Sequence, residues 1–313
     1  VQPGTPARIL PFDETYAQNR LGLAKWFFDE KNPLTSRVVV NRFWQQFFGR
    51  GLVATPEDFG NQGARPSHPE LLDWLAVTFR TQDQWDIKKF IKRVVLSATY
   101  RQSSKTSLEA SRLDPTNVFL AYYPRQKLPA EMIRDNALVT SGLLNGTIGG
   151  PSVKPHQPEG LWEETTSGQG LTQYQPDGGV NRYRRSLYTF WKRTVPPPNM
   201  ITFDAPTRDL CTVERQKTST PLQSLVLLND PQFYSAAEAI ANKIDTEDTL
   251  QTEREKILKL FRTITLRTPN EAEKKLLSDY FDALLSNNEQ ASENPLVDMA
   301  LLIYNLDETT QKS

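Results

Sequence analysis

The sequence predicts an all-α or predominantly α protein, an irregular multi-helix assembly with a long loop-rich central insertion. In the first and last thirds of the chain, apolar residues recur every three or four positions, which is the spacing of one buried helix face. The last third also carries three helix-start signatures in which a capping residue is followed by proline. By contrast, residues 146–181 are dominated by Gly, Pro, Gln and Thr, a composition typical of loops.

The apolar spacing predicts two helices in the first fifty residues. One lies within residues 14–30. The second runs from Leu34 to Phe48 and has two adjacent apolar rows, so that it presents a broad buried face. Gly49 is expected to end it, and residues 51–66 read as a loop.

Three further helix starts are marked by capping residues. Ser67 and Glu70 have capping-box spacing, in which each side chain binds the backbone N–H of the other residue. Asp86 precedes the most regular periodic segment and is a candidate N-cap. A helix over residues 129–145 has Pro129 in its first turn.

The last third is predicted to be helical as well. Thr220, Asp230 and Thr268 are each followed by proline, and Thr268 has capping-box spacing to Glu271. The helices that follow are predicted near residues 221–228, 231–244, 249–266 and 269–286. We expect them to share a core with the helices that begin near Leu34, Ser67, Asp86 and Pro129.

The chain is predicted to form one domain over residues 1–313, divisible into sub-domains at 14–145, 146–220 and 221–313. The polar segment Asp245–Thr252 is the best candidate for a boundary of low contact density. In residues 182–193, apolar and polar side chains alternate poorly for a strand, whereas a helix there would be apolar around much of its circumference. We favour a buried helix and leave the strand open.

Composition excludes several kinds of site. The 37 basic and 37 acidic side chains cancel, so no global field attracts nucleic acid or an anionic membrane. The single cysteine, Cys211, excludes an intramolecular disulfide, and with only His68 and His156 the chain lacks a zinc cluster or haem-attachment motif. We therefore expect no cofactor and no metal site in this chain. No apolar run is long enough for membrane insertion, and the start at Val1 suggests that a signal peptide has been removed upstream.

Within the predicted helix 129–145, Glu131, Arg134 and Asp135 share one face because they stand three and four positions apart. One interpretation is a structural ion pair. The other is a pair of acids polarised by Arg134, which general acid–base chemistry could use.

Arginines concentrate in the centre of the chain. The candidates for a ligand site are Arg184, Arg185, Asp204, Arg208 and Arg215. Guanidinium groups bind carboxylate, sulfate or phosphate with two parallel hydrogen bonds, so several meeting in one pocket would form an anion site. The alternative is that Asp204 pairs with Arg208 or Arg184 to fix a buried crossing.

The central loop contains aromatic and acidic residues close to a histidine. His156 and Trp162 stand near Tyr174 and the carboxylates of Glu163 and Glu164, a combination suited to sugar stacking and hydrogen bonding. The alternative is a loop that Trp162 merely tethers.

Seven ordered motifs carry a family resemblance. They are Asn41-Arg-Phe-Trp, His68-Pro-Glu-Leu-Leu-Asp-Trp-Leu-Ala, Leu96-Ser-Ala-Thr-Tyr-Arg-Gln-Ser-Ser, Ala130-Glu-Met-Ile-Arg-Asp, Gly149-Gly-Pro-Ser-Val, Arg184-Arg-Ser-Leu-Tyr, and Ser219-Thr-Pro-Leu-Gln followed by Leu227-Leu-Asn-Asp. Together they resemble the planctomycete-type, cytochrome-associated domain of unknown function, from about residue 18 onward. The resemblance implies the C-terminal part of a large extracytoplasmic protein, periplasmic or on the cell surface, whose upstream domains often carry c-type haem and sometimes bind glycans. It assigns no catalytic residue.

Three classes of function follow from these observations. The first is a non-catalytic interaction or ligand-binding module whose partners are the upstream domains of the same polypeptide. The second is a carbohydrate-acting enzyme that uses two carboxylates, one from Glu131 or Asp135 and one from the central loop. The third is a receptor for sulfated or phosphorylated ligands. The absence of a nucleophile–base or metal signature favours the first class, so we expect no enzymatic activity.

Overall fold

The computed structural model describes residues 4–165, 173–286 and 294–312, with the backbone alone described for Glu164 and Thr165. The protein is predominantly α-helical, as predicted. Its chain forms two compact units, the first ending at Gln126 and the second spanning Lys127–Lys312. The segment Asp245–Thr252, predicted as a boundary, lies inside the second unit.

The first unit contains six helices within its described residues. They are α1 (Arg20–Phe27), α2 (Thr35–Phe48), α3 (Pro69–Thr81), α4 (Ile87–Val95), α5 (Ala98–Arg101) and α6 (Leu108–Leu113). The core forms where α2 packs against α3, and aromatic rings fill much of it. Phe79 and Phe90, for example, meet edge to face at 5.5 Å between ring centroids.

Two helix boundaries of this unit are confirmed by their capping contacts. Gly49 ends α2 in the left-handed conformation, with φ of 78°, which a glycine adopts without steric cost. Asp86 caps α4, because its carboxylate accepts hydrogen bonds from the backbone N–H groups of Lys88 at 2.8 Å and Lys89 at 3.2 Å.

The predicted capping box at Ser67 is wrong. His68 is the residue that precedes α3, and no side chain caps this helix. The Ser67 hydroxyl instead donates to the carbonyl of Leu52 at 3.2 Å. Its bond therefore holds the preceding loop rather than the helix.

The second unit contains the remaining elements. The helices are α7 (Ala130–Ser141), α8 (Leu161–Thr165), α9 (Pro198–Thr202), α10 (Pro221–Asn229), α11 (Pro231–Asp245), α12 (Glu253–Thr265), α13 (Glu271–Ser286), α14 (Pro295–Tyr304) and α15 (Asp307–Thr310), with 3-10 turns at Gly179–Tyr183 and Ser186–Tyr188. The strands β1 (Gln126–Lys127) and β2 (Gln311–Lys312) form a two-stranded sheet.

Helix α11 is the centre of the second unit and packs against α7, α10, α12 and α14. Its buried face carries Ala236, Ala237 and Ala241, whose small side chains allow these helices to approach closely. Helix α7 shares this core with the C-terminal helices, as predicted. The helices that begin near Leu34, Ser67 and Asp86 do not, because they form a separate core in the first unit.

Residues 182–193 are neither the favoured buried helix nor a regular strand. They contain the end of one 3-10 turn, the whole of a second, and isolated bridges. Arg184 pairs with Asn145 and Thr189 with Val153 in parallel bridges, and Lys192 pairs with Val195 in an antiparallel one. The buried residues of the segment are the polar Arg184, Ser186 and Thr189, whereas Leu187 is exposed, so the apolar residues do not mark the buried side.

The predicted capping box of Thr268 and Glu271 is also wrong. Helix α13 begins at Glu271, and the box is formed two residues later. The backbone N–H of Asn270 donates to Glu273 Oε2 at 2.7 Å, and the N–H of Glu273 donates to Asn270 Oδ1 at 2.9 Å. Across the described residues, no helix is both long and apolar enough to cross a membrane.

Candidate functional site

Arg134 lies at the centre of the predicted site and is buried on α7. Its Nε donates to Gln232 Oε1 at 2.6 Å, and its Nη2 donates to the carbonyl of Arg182 at 2.7 Å. Nη1 donates to the carbonyl of Arg184 at 2.9 Å and to Ser186 Oγ at 3.1 Å. Burial lowers the pKa of the guanidinium from its ordinary value, an effect that the nearby Asp135 carboxylate opposes. The side chain fixes the 182–186 segment onto α7.

Asp135 completes this attachment. Its Oδ1 accepts hydrogen bonds from both the backbone N–H and the hydroxyl of Ser186, each at 2.7 Å. The same oxygen lies 3.8 Å from Arg134 Nη1. The carboxylate therefore already binds a buried serine, which limits its availability as a base.

Arg184 organises the Gly149-Gly-Pro-Ser-Val motif. Its guanidinium donates to the carbonyls of Pro151 at 2.9 Å and Thr147 at 3.0 Å, and also to that of Gly149. Its plane lies 4.0 Å from the centroid of the Tyr188 ring, whose hydroxyl accepts from the N–H of Gly149 at 2.8 Å. A buried arginine and a tyrosine from one motif thus hold the backbone of another.

Glu131 binds an arginine from the later part of the chain. Arg215 donates to both of its carboxylate oxygens, at 2.7 and 3.1 Å. Burial would raise the pKa of Glu131, but the bond from Arg215 and the charge of Arg208 hold it below its ordinary value. Arg208 itself lies 4.2 Å over the ring of Trp191.

Asp204 and Arg185 lie outside these contacts. The carboxylate of Asp204 accepts hydrogen bonds from the backbone N–H and the hydroxyl of Thr218, each at 2.8 Å at the closest. This contact differs from the predicted pairing of Asp204 with Arg208 or Arg184. Arg185 is exposed.

Trp162 is a core residue of the central segment, with 1% of its surface exposed. Its ring packs against Tyr174 at 5.0 Å and Phe190 at 5.8 Å between centroids. The Lys192 ammonium lies 4.3 Å from the centroid of the same ring. Because the indole is covered by the protein, it is not a platform for stacking a sugar.

The two loop carboxylates differ in what the structure describes. Glu163 follows Trp162 and is exposed. The side chain of Glu164 lies outside the described residues.

His156 lines a narrow cavity, together with Arg134, Thr189, Asn199 and Gln232. The Nε2 of Gln232 donates to the backbone carbonyl of His156 at 3.2 Å, and the Thr189 hydroxyl is buried without a partner among the described residues. This cavity leaves no room for a water-sized sphere, whereas small-molecule sites occupy roughly 300–1,000 Å³. The cavity is thus too small for a sugar ring.

Asp230 stands close to this cavity and was predicted only as a helix cap. Its Oδ1 accepts from the backbone N–H of Gln232 at 2.8 Å, as an N-cap should, and its Oδ2 accepts from Asn199 Nδ2 at 3.3 Å. Burial raises the pKa of this carboxyl above its ordinary value, against the lowering effects of the backbone bond and of His156.

The arrangement joins some predicted residues and separates others. Arg134, Asp135 and Arg184 meet around Ser186, whereas Glu131 pairs with Arg215 in a second contact and Trp162 belongs to a third. Ser186 and Gln232 were missed as site residues. Ser186 lies in the quoted Arg184-Arg-Ser-Leu-Tyr motif, so its position in a motif was the available signal.

A metal centre gains no support from the described part of the chain, where no three His, Cys, Asp or Glu residues cluster. No curated protein and no solved structure matches the chain. Residues 19–281 match the family PSD1, described as a protein of unknown function (DUF1553). The match covers most of both compact units, and the chain belongs to this family.

Proposed function

We propose that this chain is a non-catalytic interaction module of a large extracytoplasmic protein, and that it docks against upstream domains that bind c-type haem or glycans. The observation that carries the proposal is the outer face of α10. On this face Leu222, Leu225 and Leu228 are exposed by 56%, 54% and 37%. Residues spaced in this way form one stripe on a helix.

Helix α10 is apolar on two faces. Leu227 is buried toward the core, and no charged residue occurs between Pro221 and Asn229. A surface helix normally carries polar groups on the side away from its core. Exposed apolar stripes of this kind are typical of protein–protein contacts. The outer face of α10 therefore suits a partner domain that covers it.

The state of the acidic side chains also supports a non-catalytic role. Glu131 is bound by Arg215 and Asp135 by Ser186, so both candidate acids on α7 already have a protein partner. General acid–base catalysis requires a carboxyl group that can reach the substrate and exchange its proton.

Photo-crosslinking in the full-length polypeptide tests the docking role. A photoreactive amino acid at Leu225 should crosslink to an upstream domain of the same polypeptide, and mass spectrometry would locate the joined residue. The matched control is Leu276 on α13, which is 69% exposed but lies among charged side chains. Equal crosslinking from both positions, or none from Leu225, would contradict the proposal.

Turnover measurements test the non-catalytic role separately. The chain should release no sugar from a panel of sulfated and unsulfated polysaccharides. If it does, Glu131→Gln, Asp135→Asn and Glu163→Gln would identify the group responsible. A loss of roughly a hundredfold in any of these variants, the scale of a lost general acid or base, would replace the docking role with a hydrolase.

A further inference from the structure

A basic cleft lies in the first unit. Two adjoining pockets of about 90 and 770 Å³, open to solvent, share Thr116, Asn117 and Pro124 in their walls. Arg50 and Arg65 line the first pocket. The second pocket is lined by Lys105 and Arg125. We call this combined space the basic cleft.

The charge of the basic cleft is uncompensated. Neither pocket has an aspartate or glutamate in its lining. The side chains of Arg50, Arg65, Lys105 and Arg125 are exposed and make no ion pair or hydrogen bond with other described residues. In a chain with no net charge, this one-sided lining creates a local positive potential that attracts anions.

The wall of the cleft is rigid. Asn117 and Leu120 both adopt left-handed backbone conformations, with φ of 48° and 51°, which is costly for a leucine. Asn117 Nδ2 donates to the carbonyl of Tyr122 at 2.8 Å, and its Oδ1 accepts from the N–H of Ala121 at 3.0 Å. Gln102 Nε2 donates to the carbonyl of Leu120 at 2.6 Å. These bonds hold the strained turn in place.

The same wall is fixed to α2. The hydroxyl of Tyr123 donates to the carbonyl of Phe47 at 2.8 Å, and Gln126 Nε2 donates to the same carbonyl at 2.7 Å. Because α2 ends at Gly49, Arg50 emerges immediately beside this attachment. Arg50 and Arg125 thus adjoin backbone that is held by these bonds, which reduces the entropy lost when a ligand binds.

The neutral lining indicates what kind of anion fits. Ser104, Thr116 and Tyr122 contribute hydroxyl groups, which can bond to the hydroxyls of a sugar chain. Trp44 and Phe48 are buried in the floor, so Tyr122 is the half-exposed aromatic ring among the lining residues. Single-stranded nucleic acid uses successive stacking platforms, which this lining does not offer. The described lining also contains no strand with which an extended peptide could pair.

We propose that the basic cleft binds an anionic oligosaccharide. Its sulfate or carboxylate groups pair with Arg50, Arg65 and Arg125, while its hydroxyls bond to Ser104, Thr116 and Tyr122. The site is independent of the docking role of α10, which belongs to the second unit.

Calorimetric titration of the whole chain tests the site. The probes are dextran sulfate, oligogalacturonate, neutral dextran and polyglutamate, and the first two distinguish a sulfate ligand from a carboxylate ligand. We expect one or both anionic glycans to bind, with an affinity that falls as salt rises, and neutral dextran not to bind. Binding of polyglutamate as tight as that of the glycans would overturn the assignment to a sugar.

A double variant locates the site. Arg50→Gln with Arg125→Gln should weaken glycan binding at least tenfold without changing the thermal midpoint, since both side chains are exposed. The matched control is Arg254→Gln with Arg262→Gln on α12, which removes the same charge from exposed positions of the second unit. An equal loss in both double variants, or no loss in the first, would overturn the proposal. Shifts in the side-chain amide NMR signals of Gln102 and Asn117 on adding glycan would support it, and their absence at saturation would count against it.

Discussion

The buried arginines of the second unit and the arginines of the basic cleft in the first unit act in opposite ways. In the second unit, Arg134 and Arg184 are buried, and their donors are directed at backbone carbonyls and neutral side chains. In the first unit, Arg50 and Arg65 are exposed, and no described residue pairs with them. Clustering of arginines in the sequence therefore does not identify an anion site. Such a site is identified by the number of guanidinium donors that have no protein partner after folding.

The largest expected effect comes from Arg134→Met. The substitution leaves Gln232, Ser186 and the two carbonyls of the 182–184 segment without their donor, so several buried acceptors lose a partner at once. We expect a loss of about 3–5 kcal/mol in the free energy of unfolding, as for removing one member of a buried charged contact. Urea denaturation measures it. Arg185→Met, at an exposed neighbour, should change the free energy by less than about 0.5 kcal/mol, and a similar loss in both would contradict the contrast.

The next effect separates a structural from a catalytic role for Asp135. Asp135→Ala leaves the buried N–H and hydroxyl of Ser186 unbound and should cost about 1–3 kcal/mol. Asp135→Asn keeps an acceptor oxygen in the same position and should cost less. Thermal unfolding of the two variants checks the order. Should the asparagine variant be the less stable one, the negative charge and not the hydrogen bond would be the important property.

A smaller effect concerns the pH dependence of the Glu131–Arg215 pair. The folded pKa of Glu131 lies below its ordinary value of 4.5, so the pair contributes stability above that pH and loses it as pH falls through the folded pKa. In Arg215→Gln, the bond and charge of Arg215 are lost, so the pKa of Glu131 rises from its wild-type value. We expect a loss of up to about 1 kcal/mol at pH 7, because the pair is partly exposed, and a difference from wild type that shrinks in acid. Denaturation at pH 7 and pH 3 measures both. A constant difference would rule out the titration of Glu131 as its cause.

The smallest effect is expected in the basic cleft. Arg50→Gln removes one of several unpaired positive charges and breaks no hydrogen bond with a described residue. The free energy of unfolding should therefore change by less than about 0.5 kcal/mol. Urea denaturation of Arg50→Gln, measured in parallel with Arg134→Met, checks this free energy. A loss above roughly 1 kcal/mol would show that Arg50 is structural, as Arg134 is, and would remove the contrast between the units.

Local signals allowed much of the fold to be predicted. Helix starts with one suitable capping residue, such as Asp86 and Asp230, were placed correctly because the cap and its N–H donors are adjacent in sequence. Where two candidates stood close together, the prediction chose wrongly. Asn270 caps α13 in place of Thr268, because the Glu273 carboxylate can accept a hydrogen bond from the backbone N–H of Asn270.

Helix α14 was missed for a different reason. Pro295–Tyr304 is apolar on nearly all sides, so it shows no amphipathic spacing, and almost every one of its residues is buried against α11, α12 and α13. A short uniformly apolar segment does not reveal its secondary structure through periodicity.

The sequence predicted which arginines belong to the candidate site but not which groups they bind. Arg134 was singled out because it shares a helix face with Glu131 and Asp135, and Arg184 because arginines concentrate in that part of the chain. Their partners are mainly carbonyls, which every residue possesses. No sequence pattern distinguishes such acceptors. The basic cleft was missed because its four cations come from three different connections between helices and are brought together only by the fold.

The parallel bridges beside Arg184 affect how this chain can tolerate change in its length. They join residue 145 to residue 184 and residue 153 to residue 189. The chain between residues 153 and 184 is therefore a long connection whose two ends lie in one fixed region. The entropy of closing a loop grows only slowly, by about 0.6 kcal/mol for each doubling of its length. Extra residues inserted at the exposed turn of Glu159 and Gly160, where φ of Gly160 is 77°, would therefore cost little. Evolution can lengthen this connection without changing the contacts of Arg134 and Arg184 at its ends.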